Sequence, residues 1–96
     1  MTDLIPHDKL SDMLPTGWVL CDEGTAMEKT FNFADFAEAF SWMTHMALVS
    51  EKVNHHPQML YVYKTVQAYL TTHDANGITE KDITFAQKMN EVAGDV

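Results

Sequence analysis

The stretch EKVNHHP at residues 51–57 and LTTHD at residues 70–74 hold three of the chain's five histidines: His55, His56 and His73. Glu51 lies four residues before His55. Imidazole titrates at about pH 6.5, so neighbouring histidines can serve as acid and base at neutral pH without a cofactor. A carboxylate such as Glu51 can orient one of them or raise its pKa. Three histidines and a carboxylate also suit zinc or iron. However, H-H-P lacks the i, i+4 spacing of a helical H-E-x-x-H pair, and the lone Cys21 offers no cysteine pair. Pro57 drives His56 toward an extended backbone, which aims the two rings in different directions and weakens a shared metal site. Proton transfer is the preferred reading, and neither metal nor organic cofactor is expected.

These groups meet only if a helix end and a strand end are adjacent. Residues 7–14 (HDKLSDML) predict a short helix ended by Pro15, with Gly17 and Trp18 leading into a first strand. AMEKTFNF at 26–33 alternates, with Met27, Phe31 and Phe33 on one face and Glu28, Thr30 and Asn32 on the other. Asp35 and Glu38 form a capping pair for a helix running to about residue 51, with an apolar stripe of Phe36, Ala39, Phe40, Met43, Met46 and Ala47. Glu51 falls at or beside that stripe, or points to water from a solvated last turn where it opposes the helix dipole.

LYVYKTVQAYLTTH at 60–73 is rich in β-branched and aromatic residues and is long enough for two strands bent near Lys64 or Thr65. Val66, Ala68 and Leu70 face one way, and Gln67, Tyr69, Thr71 and His73 the other. Tyr61, Tyr63 and Tyr69 are expected on the polar face, either as aromatic surface for a flat ring or as cross-strand packing. His73 then sits at a strand end on the open face, where a solvent-facing polar role is its plain alternative. DANG forms a turn, and Thr79 with Asp82 caps a last helix bearing Ile83, Phe85, Ala86, Met89 and Val92. The order predicts an α+β two-layer sandwich: a short N-terminal helix, then β2-α-β2-α, with a four-stranded antiparallel sheet and the helices on one face.

Ninety-six residues without repeat or linker make residues 1–96 a single domain, with 7–93 as its compact unit. Six lysines, no arginine and a net charge of −8 disfavour direct nucleic-acid binding. No apolar run approaches the roughly 20 residues of a membrane span, the N-terminus does not read as a secretory signal, and the single cysteine suits a reducing cytoplasm.

EKVNHHP, then VYKTV, then LTTHDANGITEKDI, with GW at 17–18, F-x-F at 31–33 and the helix from Phe36, resembles the pterin-4a-carbinolamine dehydratases over nearly the whole chain and without a gap. The resemblance implies the fold just described and a homodimer built by edge-strand pairing, or a homotetramer stacked through helices. It also implies a small-molecule pterin substrate and no metal or organic cofactor. The implied reaction is loss of water from 4a-hydroxytetrahydropterin to give quinonoid dihydropterin, which serves pterin recycling after aromatic amino-acid hydroxylation. By the same resemblance His55, His56 and His73 surround C4a and N5, and Asn54, Pro57, Met59 and Thr71, Thr72 and Asp74 contact the ring. Glu51 supports the histidines.

Water loss from a carbinolamine needs a proton for the departing hydroxyl and removal of the N5 proton, so two imidazoles in opposite protonation states suffice. His73 and His56 are the expected exchanging pair, with His55 orienting or substituting. Met59 stands where many members have Trp, and Asn54 where many have Asp; both alter the pocket without removing a proton-transfer group. Asp82 reads as the capping partner of Thr79. The competing reading is a non-catalytic dimerisation or transcriptional-cofactor module, since animal family members also partner a homeodomain transcription factor; here that role would lie on the helix face from Phe40 to Val49.

Overall fold

Alternation in AMEKTFN places Met27, Lys29 and Phe31 on one side of a strand, and the fold is built around that side. The computed structural model describes residues 3–94. Its elements are α1 (His7–Met13), β1 (Val19–Cys21), β2 (Ala26–Asn32), α2 (Phe36–Val53), β3 (Gln58–Val62), β4 (Thr65–Leu70) and α3 (Glu80–Ala93). Single 3-10 turns occupy Asp22–Gly24 and His73–Ala75. The antiparallel sheet runs β1-β2-β4-β3, which puts β2 and β4 at the centre and β3 at an edge. The expected α+β sandwich is the observed one.

The core forms where α2 and α3 cover one sheet face. Phe31 is fully buried and its ring meets Trp18, Phe33 and Trp42 at centroid distances of 6.1, 6.3 and 4.5 Å. Met27, Val66, Ala68 and Leu70 continue that face, against Met46, Ile83, Phe85 and Met89 from the helices. The α2 stripe is rotated from the one its spacing suggested. Ala39, Trp42, Met46 and Ser50 are buried, whereas Phe40 and Ala47 are exposed. The cause is Trp42, whose large indole takes the core position and donates Nε1–H to the Met89 carbonyl at 3.2 Å. Ser50 joins the buried row because its hydroxyl is satisfied by the Met46 carbonyl at 2.9 Å.

The sequence places two tyrosines differently from the structure. Tyr61 pairs with Val66 in the register, so it lies on the helix-facing side of β3, where its ring meets Phe36 at 5.8 Å. Tyr63 is in no strand: with Lys64 it makes the two-residue connection between Val62 and Thr65, at φ 54. No glycine or asparagine marks that hairpin, and a tyrosine with positive φ costs roughly 1 kcal/mol or more. Lys29, near the sheet rim, donates to Thr16 O at 3.1 Å and Asn90 Oδ1 at 2.9 Å and lies over the Phe31 ring. Burial pulls its pKa down. Trp18 Nε1 donates to the same Asn90 oxygen at 3.1 Å, so one asparagine fastens residues 16–18 to α3.

Because Phe31 has no exposed surface and three aromatic neighbours, Phe31→Ala should cost about 3–5 kcal/mol of unfolding free energy. Urea titration followed by tryptophan fluorescence measures it; a loss under about 1 kcal/mol would show that the core is centred elsewhere.

Candidate active site

The C-terminus of α2 aims the histidine pair. Asn54 adopts the left-handed conformation (φ 55, ψ 47), and both its own N–H and that of His55, the latter at 3.2 Å, donate to the Ser50 carbonyl. Asparagine tolerates this backbone region, so the helix ends sharply. His55, His56 and Pro57 then lead into Gln58, which pairs with Tyr69 on β4. Continued past Gln58↔Tyr69, the same register sets His55–Pro57 alongside Leu70–Thr72, the end of β4 and the residues just after it. The required adjacency of helix end and strand end is thus a consequence of the β3–β4 register.

A buried carboxylate joins the two segments. Asp82, with no solvent exposure, accepts from the Thr79 N–H at 2.9 Å and the Thr72 hydroxyl at 2.7 Å through Oδ2. Its Oδ1 lies 2.7 Å from His55 Nε2. Thr72 and Thr79 hydroxyls are 2.8 Å apart. The capping box expected of Thr79 and Asp82 is present, with the Thr79 hydroxyl accepting from Lys81 N–H at 3.3 Å. The link from Asp82 to His55 was missed in the sequence. No local signal marked it: any carboxylate in a capping box leaves one oxygen over, and its partner here lies 27 positions away.

His56 has a separate carboxylate. Its Nε2 lies 2.8 Å from Glu51 Oε1, and both side chains are largely exposed, at 55% and 80%. Glu51 therefore supports one histidine, while Asp82 supports the other. An ionised carboxylate only accepts, so each ring donates Nε2–H and keeps Nδ1 available. The His55 ring is nearly enclosed and meets Phe85 edge-on at 6.0 Å.

His73 does not extend the strand face. β4 ends at Leu70, Thr72 bridges to Gly77, and His73 opens the 3-10 turn with its side chain exposed. Among the described residues it has no side-chain hydrogen bond. Asp74 is exposed beside it, and Pro57 is half-buried. Thr71 donates its hydroxyl to Thr25 O at 2.7 Å, which ties this segment to the start of β2. Thr72 is committed to Asp82. Met59 pairs with Ala68 and packs against the core, so its side chain lies on the helix-facing side.

The open sheet face carries a second polar group. Tyr69 donates its hydroxyl to Asp22, which pushes its pKa up to about 12. Burial, aided by Glu28 and Asp22, raises the Cys21 thiol to about 11. Among the described residues no three metal-ligating side chains cluster, and no helix is long and apolar enough to cross a membrane.

With this geometry the chain can be compared with known proteins. Residues 3–92 match the family described as Pterin 4 alpha carbinolamine dehydratase. The chain belongs to that family. The "Putative pterin-4-alpha-carbinolamine dehydratase" of Afipia carboxidovorans is 54% identical over 77 residues, covering 80% of this chain and 77% of the relative. A Brucella melitensis crystal structure described as a transcriptional coactivator/pterin dehydratase superposes with a TM-score of 0.91 at 38% identity, over 96% of this chain and 100% of that one. A pterin dehydratase-like protein identified as a RuBisCO assembly factor in the alpha-carboxysome shares the fold. Its TM-score is 0.72 at 22% identity, over 83% of this chain and 93% of that one.

In this family member Asp82 holds a helix cap, a loop and a histidine at once. Asp82→Ala strands the Thr79 N–H, takes the carboxylate from the His55 ring and leaves the Thr72 hydroxyl only its Thr79 contact, and should cost about 2–4 kcal/mol, with Asp82→Asn milder. Urea unfolding checks both; losses under about 0.5 kcal/mol would mean the network contributes nothing to the fold.

Proposed function

We propose that the chain dehydrates 4a-hydroxytetrahydropterins to quinonoid dihydropterins by histidine acid–base catalysis, as part of pterin recycling in the cytoplasm. The observation that carries this reading is the provision of separate carboxylates, Asp82 for His55 and Glu51 for His56, beside the exposed His73. Family membership supports the substrate class.

In this reaction the C4a–O bond breaks as an acid protonates the hydroxyl, and a base takes the N5 proton. The N5–H electron pair becomes the new C4a=N5 bond, and water leaves; no nucleophile or oxidant is needed. His56 and His73 serve as the exchanging pair because both rings are exposed. Glu51 holds the His56 ring by a hydrogen bond at 2.8 Å, while the His73 ring has no side-chain hydrogen bond among the described residues, so the two rings of the pair are held differently. His55, held by Asp82, orients the substrate. Asn54 and Asp74 offer exposed polar groups toward the ring.

Self-association is part of the reading. β3 leaves one backbone edge unpaired and exposes Leu60, Tyr61 and Val62, with Phe36 and Phe40 exposed on α2. A long apolar edge is a template for a second strand. We therefore infer a homodimer through β3, with α2 available for a tetramer. The alternative, a non-catalytic binding module, draws on the same exposed apolar surface and on the coactivator description of the Brucella structure.

Stopped-flow absorbance with chemically generated 4a-hydroxytetrahydropterin tests the activity. Wild-type chain should accelerate dehydration, and His73→Ala should lower kcat by about 10²–10⁴-fold. Folded wild-type chain without acceleration would hand the fold to the binding-module reading. Sedimentation tests association: the wild type should run at twice its 10.9 kDa or more, and Val62→Lys should shift it toward monomer. A wild-type monomer at tens of micromolar would overturn the interface.

A further inference from the structure

A cleft of about 650 Å³ opens between the second half of α2 and the first half of α3. It is distinct from the histidine cluster: of the residues assigned to the site, only His55 lines it. Its volume is within the roughly 300–1,000 Å³ of small-molecule pockets. The walls are mostly apolar, with Val49, Val53 and Phe85 among them, yet Lys52, Lys81 and Lys88 also line it. Half of the six lysines of a chain with net charge −8 thus surround one cleft, in company with one acidic lining residue, Glu80. Among the described residues Lys88 alone of the three makes an ion pair, with Glu91 at 3.4 Å.

We propose that this cleft binds a small amphipathic carboxylate, an apolar body carrying a single negative charge. Charge complementarity selects the anion, since elsewhere the acidic surface repels it. Apolar walls select the body. The chain has no arginine for a bidentate grip, and the α3 N-terminus is already capped by Thr79 and Asp82, so a phosphate monoester finds neither of its preferred donors. Lysine ammonium groups suit a carboxylate as mobile point charges. Because His55 is among the lining residues, occupancy is reported at its ring.

Octanoate and its neutral isostere octanamide are the probes, titrated into the full chain and followed by amide and methyl NMR. Octanoate should shift Val49, Val53, Phe85 and the His55 ring saturably, and octanamide should bind at least about tenfold more weakly. Lys52→Glu combined with Lys81→Glu, both exposed positions, should weaken octanoate by about tenfold or more. Lys64→Glu, at the β3–β4 hairpin, should leave it unchanged. The proposal is overturned by no saturation below about 5 mM, by octanamide binding as tightly, by the double variant binding normally, or by shifts centred on β3.

Discussion

The Asp82 carboxylate is the interaction on which the site depends. It is buried without a lysine or arginine partner, so its stability rests on the donors that surround it: one backbone N–H, one hydroxyl and one imidazole. A buried carboxylate short of partners is costly, and removing one donor leaves the charge poorly compensated. The three donors come from three segments: the start of α3, the end of β4 and the end of α2. Meeting the carboxylate's needs therefore fixes where those segments stand. His55 is placed by the same requirement that caps the helix.

The sheet supplies the other half of the placement. β3 and β4 are joined by only Tyr63 and Lys64, so the register from Val62↔Thr65 to Gln58↔Tyr69 is set by a short hairpin. Because β4 is also held by β2, a slip of one residue would flip β3 and turn Met59 away from the core. Core burial thus protects the register, and the register keeps the histidine pair beside the His73 turn. The strained tyrosine at φ 54 is tolerated because the pairing on either side over-determines it.

Much of this was legible from residue types. The Asp35 cap of α2, the capping box of α3, the alternation of β2 and the element order follow from local chemistry, which the tertiary structure obeys. What could not be read is what depends on distant partners. Phe40 and Trp42 are both apolar and two residues apart, and spacing alone does not say which faces the sheet; the Met89 carbonyl and the Phe31 ring decide it. Tyr61 was misplaced because the hairpin falls one residue earlier than the strand propensities suggest, which reverses the face of every residue before it. Asp82 read as a cap alone because its second oxygen answers to His55, 27 positions away.

Placing two histidines side by side gains its point from their unlike surroundings. Pro57 restricts His56 to extended backbone, and Asn54 turns the chain just before His55, so the rings diverge. One ring meets a buried carboxylate that is itself held by two other donors; the other meets a carboxylate open to water. In the enclosed pair, position is fixed and the ring has little freedom to move with a substrate. In the exposed pair, solvent screens the attraction and the ring stands open to water. An enclosed histidine and an open one can therefore be adjacent in sequence, provided that the fold gives each its own carboxylate.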